Sequence, residues 1–125
     1  MLEVLVAVSI LLVGLSAVAR LNSAVQGLVR QMQNRESALL VCANVIELTT
    51  IIDYEKLDPS NVDEPLLVRC GLNDTKLPDV EVSIAVQEID GGKRVVARVS
   101  WAIRSGRRAN ISLTRWRYPP HEAQS

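Results

Sequence analysis

The chain opens with Met1-Leu-Glu-Val-Leu-Val-Ala-Val-Ser-Ile-Leu-Leu-Val-Gly-Leu-Ser-Ala-Val-Ala19, and this stretch decides the fold. A helix of about 20 apolar residues is long enough to cross the hydrocarbon core of a bilayer. The stretch contains one charge, Glu3, and a lone carboxylate in lipid costs about 2.5–3.5 kcal/mol unless it finds a partner. It is too long for the apolar region of a signal peptide and lacks a basic segment before it. The stretch therefore predicts a membrane-spanning helix in which Glu3 has a function.

The residues Met1-Leu2-Glu3-Val4-Leu5-Val6-Ala7 resemble the N-terminal segment of type IV pilins and pseudopilins, which reads G-F-T-[LM]-[LI]-E-V-L-V-A. In that family a prepilin peptidase cuts after the glycine, and the new terminus is methylated. The Gly, Phe and Thr of the family pattern and its basic leader have no counterpart in the 125 residues. Either the native chain begins upstream of Met1, or the processing site is absent.

The resemblance assigns two residues to assembly. It implies that Glu3 meets the N-terminal amine of a neighbouring subunit, and that the helix bends or melts near Gly14 when subunits pack into a filament. Two buried opposite charges relieve each other's desolvation cost, so this pairing is physically reasonable. Without the resemblance, an acid so close to the chain start fits equally well among the lipid headgroups.

Composition and charge limit the remaining possibilities. The 125 residues allow one modest soluble domain after the helix, and 14 basic residues balance 14 acidic ones, which argues against broad nucleic-acid binding. Residues 54–79 carry three bases and six acids, whereas residues 80–125 carry eight bases and four acids. Arginines after the span favour a cytoplasmic C-terminal part. The resemblance instead implies a bacterial inner-membrane anchor with a periplasmic domain.

The first 53 residues contain no proline and are predicted to form one helix, with 1–24 as the membrane and assembly segment and 25–53 in the soluble domain 25–125. An apolar stripe at helical spacing predicts the face that packs on the domain. It contains Val25, Leu28, Met32, Leu39, Cys42, Ala43, Ile46 and Thr50. A second apolar face predicts packing against neighbouring helices in a filament, unless the connector covers it. It contains Val41, Val45, Leu48 and Ile52.

Residues 54–79 hold three prolines and are predicted to be an irregular connector. In an oxidising compartment, Cys42 in the helix and Cys70 in the connector are expected to form a disulfide. Such a bridge would tie the connector to the helix and stabilise the fold by about 3–4 kcal/mol. In a reducing compartment, two buried thiols are expected instead.

Residues 80–117 are predicted to form an antiparallel sheet of three strands, followed by a tail at 118–125. Apolar and polar residues alternate in 80–87, 95–103 and 109–114, and Asp90-Gly91-Gly92 and Ser105-Gly106 indicate turns. The fold class is therefore α+β, with a long N-terminal helix whose amphipathic half packs on a small sheet. Pilins have this architecture too.

Two further strings extend the resemblance. The residues around Val99-Ser-Trp-Ala and Ile111-Ser-Leu-Thr are similar to minor pilins of the PilV type, and minor pseudopilins of the I type in type II secretion come a close second.

The sequence contains no catalytic constellation, so a non-enzymatic protein without cofactor or metal is expected. His121 is the only histidine, and two cysteines with one distant histidine lack zinc spacing. A basic set near Trp116 and Tyr118 offers a surface for DNA or other anions, although pairing with acids across strands is the simpler interpretation. The set contains Arg98, Arg104, Arg107, Arg108, Arg115 and Arg117.

Together these features predict a minor pilin of a type IV pilus, a structural subunit that primes or caps filament assembly. The expected partners are other pilins or pseudopilins through the N-terminal helix, the inner membrane and, if the missing leader is native, prepilin peptidase. Nucleic acid is not an expected partner. One alternative is a minor pseudopilin of a type II secretion system. Another, from a different class, is a membrane-anchored periplasmic binding module for DNA or a surface.

Overall fold

A computed structural model describes residues 1–58 and 76–121 of the chain. Its elements in chain order are helix α1 (Leu2–Ile51), a 3-10 turn (Tyr54–Lys56) and strands β1 (Glu81–Ile89), β2 (Gly92–Ala102) and β3 (Arg108–Arg117). The chain divides into two compact units, Met1–Gln33 and Asn34–Ser125. The predicted α+β class, with one long helix and a three-stranded antiparallel sheet, is confirmed. The predicted limit of the membrane segment at residue 24 stays a prediction.

The sheet has the strand order β1-β2-β3, and both pairings are antiparallel. A two-residue turn joins β1 to β2, with Asp90 at φ 51° and Gly91 at φ 77°. Positive φ at both central residues defines the turn type whose twist suits a hairpin. The turn is thus one residue shorter than the predicted Asp90-Gly91-Gly92, because Gly92 already pairs with Ile89.

The second hairpin turn lies between Ile103 and Arg107. The Ile103 N–H donates to the Arg107 carbonyl at 2.9 Å, and the Gly106 N–H donates to the Ile103 carbonyl at 3.1 Å. Gly106 has φ 71°, a conformation that glycine adopts without steric cost. The predicted Ser105-Gly106 turn is confirmed.

The main core lies between the sheet and the second part of α1. From β2 it takes Ala97, Val99 and Trp101, and Leu77 joins it from the segment before β1. The helix contributes residues at intervals of three and four, which is the spacing of one helical face. These buried helix residues are Ala38, Val41, Cys42, Val45, Ile46 and Thr49.

A smaller cluster closes the hairpin end of the sheet. Leu57, which follows the 3-10 turn, is buried against Val86 and Val95. Lys93 fixes the same turn, because its Nζ donates to the Tyr54 carbonyl at 2.8 Å and lies 4.7 Å from the centre of the Tyr54 ring. The start of the connector, which we predicted to be irregular, is therefore anchored to the sheet.

The predicted division of the helix into two faces is wrong for Val41 and Val45. Both were assigned to the filament-facing side, yet they are 2% and 0% exposed in the core. Conversely, Leu39 and Ala43 of the predicted domain-facing stripe are exposed. The reason is that this part of α1 is apolar nearly all round, so the periodicity of the sequence leaves open which side the sheet covers.

The remaining residues of the two predicted faces differ in their burial. Leu48 and Ile52 are half-buried, Cys42 and Ile46 are buried as predicted, and Thr50 is half-buried. Val25, Leu28 and Met32 belong to the first unit and are exposed.

Candidate functional site

The first unit, Met1–Gln33, is helical from Leu2 onward, and every one of its residues is exposed. An 18-residue window within α1 has a mean hydropathy of 2.5, and none of it is buried. The helix is long and apolar enough to span a membrane. Its apolar side chains face outward on all sides, which is the distribution of a segment surrounded by lipid or by other apolar helices.

The polar groups inside this apolar segment are satisfied by the helix itself. The hydroxyl of Ser9 donates to the Leu5 carbonyl at 2.8 Å, and that of Ser16 donates to the Val13 carbonyl at 2.8 Å. A hydroxyl bonded to the preceding turn does not need water. These serines are therefore compatible with a helix in a low-dielectric environment.

Glu3 lies in the first turn of α1 and is exposed. A carboxylate there interacts favourably with the free N–H groups and the dipole at the helix N-terminus. In the described part of the chain Glu3 has no ion-pair partner. The predicted role of Glu3 in assembly stays a prediction.

Gly14 lies within the uninterrupted part of α1. A Cβ built at this position meets no atom of the described residues within 4 Å, so no contact among them requires a glycine. The predicted bending near Gly14 concerns a filament and stays a prediction.

The second part of α1 also exposes apolar side chains. Leu40 is 61% exposed and Ile51 is 77% exposed. They are eleven residues apart, which is about three helical turns, so they lie on the same side of α1. These residues, with Leu39 and Ala43, form the apolar surface that the sheet leaves uncovered, and they replace Val41 and Val45 as candidates for contact with a neighbouring helix.

The arginines of the predicted basic surface lie in separate parts of the sheet. Arg98 lies in the middle strand on the face away from the helix, whereas Arg104 and Arg107 lie at the second hairpin turn. Side chains alternate along a strand, so Arg115 lies on the same face of β3 as Leu113, which packs against the core beside the helix. The arginines therefore do not form one continuous basic face.

Arg108 has partners within the domain. Its guanidinium lies 2.8 Å from the Asp79 carboxylate and 3.4 Å from that of Glu81. It also donates to the Asp79 carbonyl at 3.0 Å, which holds Asp79 at φ 47°. Arg108 thus fixes the start of β1 rather than presenting a free charge.

Arg117 caps the C-terminal end of α1. Its Nη1 donates to the carbonyls of Thr49 and Ile52 at 2.9 and 2.6 Å. The last carbonyls of a helix have no partner within it and carry a partial negative charge, so a cation is favourable there. The sequence alone did not indicate this role, because the two segments are 65 residues or more apart along the chain.

Cys42 is fully buried at the helix–sheet contact. Its Sγ lies 3.8 Å from the carbonyl oxygens of both Ala97 and Ile111. Burial raises the pKa of the Cys42 thiol above its usual value of 9.0, while backbone hydrogen bonds from Val99 and Leu113 oppose that rise. Cys70 lies outside the described residues, so the disulfide stays a prediction.

Comparisons with protein-family models, with curated proteins and with solved structures found no match to this chain. The class therefore rests on the architecture. A long N-terminal apolar helix packed on a three-stranded antiparallel sheet is a pilin-like architecture.

Proposed function

We propose that this protein is a minor pilin of a type IV pilus, a structural subunit without enzymatic activity that primes or caps filament assembly. The observation that carries the proposal is the wholly exposed apolar segment of α1, continuous with the helix that supplies the core of the sheet domain. A subunit of this kind is stored in the inner membrane and then packs its helix against other pilins.

The energetics of the exposed segment support this role. Each large aliphatic side chain left in water forgoes about 1.5–3 kcal/mol of burial free energy. Lipid supplies that burial in the membrane, and helices of other subunits supply it in a filament. Glu3, exposed in the first turn, provides the charge that sets the register between subunits when an N-terminal amine pairs with it.

The arrangement of the arginines favours a structural subunit over a binding module. A surface that binds DNA through phosphates needs several free cations on one face. Here Arg108 and Arg117 are engaged within the domain, and Arg98 and Arg115 lie on opposite faces of the sheet.

The first experiment is the intact mass of the membrane-extracted protein, expressed from the full reading frame with and without a prepilin peptidase. We expect the peptidase to remove a short leader and to add one methyl group, leaving a terminus two residues before Met1. A protein whose mass is unaffected by the peptidase would be an ordinary signal anchor, and the pilin proposal would be wrong.

A second experiment tests the helix surface. Leu40→Asp places a charge on the exposed apolar side of α1, and we expect it to block incorporation into filaments while the domain stays folded. Asn44→Asp is the matched control, because it adds the same charge at an exposed residue that is already polar. Equal incorporation of both variants would contradict a helix-mediated assembly role.

A further inference from the structure

Strands β1 and β3 form the two outer edges of the sheet. Among residues 1–58 and 76–121, no segment hydrogen-bonds to the outer edge of either strand. Edges in soluble proteins are commonly protected by proline, lysine or a bulge. Strand β3 contains neither proline nor lysine, and it pairs with β2 over ten consecutive positions without a bulge. Within residues 1–58 and 76–121, the outer edge of β3 is therefore an open template for another strand.

The turns determine which backbone groups point outward. Ile89 and Gly92 close the two-residue turn as a hydrogen-bonded pair, and such pairs alternate along an antiparallel ladder. The Ile103 N–H donates to the Arg107 carbonyl, so Ile103 and every second residue before it in β2 direct their N–H and C=O groups toward β3. The residues of β3 whose N–H and C=O groups point away from β2 are therefore Arg108, Asn110, Ser112, Thr114 and Trp116.

The two edges carry opposite charge. β1 contains two acids and no base, and β3 contains three arginines and no acid. Arg108 already pairs with Glu81 within one copy and Arg117 with the end of α1, so Glu88 and Arg115 are the strand charges that have no ion pair with a described residue. Pairing β3 with β3, or β1 with β1, would place like charges opposite one another, which is destabilising. Only the pairing of β1 with β3 brings opposite charges together.

We propose that β3 of one copy pairs with β1 of a second copy, so that the two sheets form one continuous sheet. Both strands run antiparallel to β2 and hence parallel to each other within one copy. Copies in the same orientation therefore form a parallel β3–β1 pair. The contact uses different surfaces on the two copies, so it is head-to-tail and can add further copies.

The register within one copy indicates which side chains meet. Glu88 pairs with Lys93, which pairs with Arg117, so all three lie in one row across the sheet. Extending that row places Glu88 of the second copy beside the end of β3. Arg117 is engaged at the end of α1, whereas Arg115, on the same side of the sheet, is exposed and has no ion pair with a described residue. Arg115 is thus the expected partner of the second copy's Glu88.

The proposal is tested on the full chain in detergent micelles by sedimentation velocity over a range of protein concentrations. Ser112→Pro removes an outward-pointing N–H without breaking a bond to β2, because proline is tolerated at such edge positions. We expect the association constant to fall by about tenfold or more. Ser112→Ala, which keeps the N–H, is the matched control and should associate like the unmodified protein.

A charge exchange tests the orientation and remains informative if the proline variant does not fold. Glu88→Arg and Arg115→Glu should each weaken association, and the double variant should restore it, because every copy then carries the exchanged pair. Arg98→Glu, in the middle strand, should have no effect.

Association that is absent, that persists in Ser112→Pro, or that the double variant does not restore would overturn the proposal. None of these outcomes bears on the proposed pilin role, which rests on the apolar helix and on processing.

Discussion

Val45 and Leu40 are both apolar residues of α1, but they lie on different sides of the helix. Truncating them is therefore expected to lower the free energy of unfolding by very different amounts. Val45 is 0% exposed in the core, whereas Leu40 is 61% exposed. Val45→Ala removes the equivalent of two methylene groups, which costs about 1.6 kcal/mol of transfer free energy. The cavity left in a packed core adds about 1 kcal/mol. We therefore expect Val45→Ala to lower the free energy of unfolding by about 2–3 kcal/mol.

Leu40→Ala removes a larger side chain but is expected to change the stability by no more than about 0.5 kcal/mol, because most of that side chain is already in contact with solvent. The comparison is made by urea unfolding of the full chain in detergent. The fluorescence of Trp101, which is 4% exposed, reports the opening of the core, and Trp116, at 46%, contributes a smaller change. At a slope of about 1–2 kcal/mol per molar urea, the midpoint of unfolding of the Val45 variant should lie about 1–3 M lower.

The result that would refute this reasoning is equally specific. A Val45→Ala variant with an unchanged midpoint, or a Leu40→Ala variant that loses as much stability as the valine variant, would mean that the helix presents its other side to the sheet. The sequence-based assignment of Val45 to the filament-facing side would then stand.

Three other predictions concern the same domain. Arg117→Met keeps the aliphatic stem but removes the donors to the carbonyls of Thr49 and Ile52, and thermal unfolding should show a loss of about 2 kcal/mol. Gly91→Ala places a side chain at φ 77°, which should lower the free energy of unfolding by about 1–2 kcal/mol in the same assay. Under reducing conditions, the raised pKa of Cys42 means that the folded protein keeps the thiol proton to a higher pH than the unfolded chain does. The contribution of this thiol to stability should therefore be constant below pH 9.0 and fall as the pH rises above it, and Cys42→Val should abolish this fall, as urea midpoints across pH can establish.

The sheet was predictable because its signals are local. Alternation of apolar and polar residues defines a strand that is buried on one side, and Asp90-Gly91 specifies a two-residue hairpin turn with positive φ at both residues. The register then follows from the turn, since the pairing of Ile89 with Gly92 fixes every later pair. The length of the first turn and the limits of the strands were in error, because β2 already begins at Gly92 and β1 continues to Ile89.

The buried face of the helix was not predictable in the same way. Between Leu39 and Ile52 the helix is apolar nearly all round, so periodicity gives no unique direction. The choice is made by the sheet, which covers the side of α1 that carries Ala38 and Cys42, both fully buried. Leu40 is larger than these residues and equally apolar, yet it lies outside the core. A contact over long sequence separation, such as Arg117 with the helix end, is likewise invisible to local patterns.

The sheet geometry also explains why the arginines do not form one basic surface. A count of five arginines in residues 104–117 suggests a basic surface, but the alternation that predicts the strands also separates their side chains. Arg98 and Arg115 lie on opposite faces, so they cannot bind the same phosphate backbone, and Arg108 is neutralised by Asp79 and Glu81. What remains is one charge on each edge that has no ion pair with a described residue, Glu88 on β1 and Arg115 on β3. A charge difference between edges does little for binding a polyanion on a face, and it does favour one orientation when strands of two copies meet.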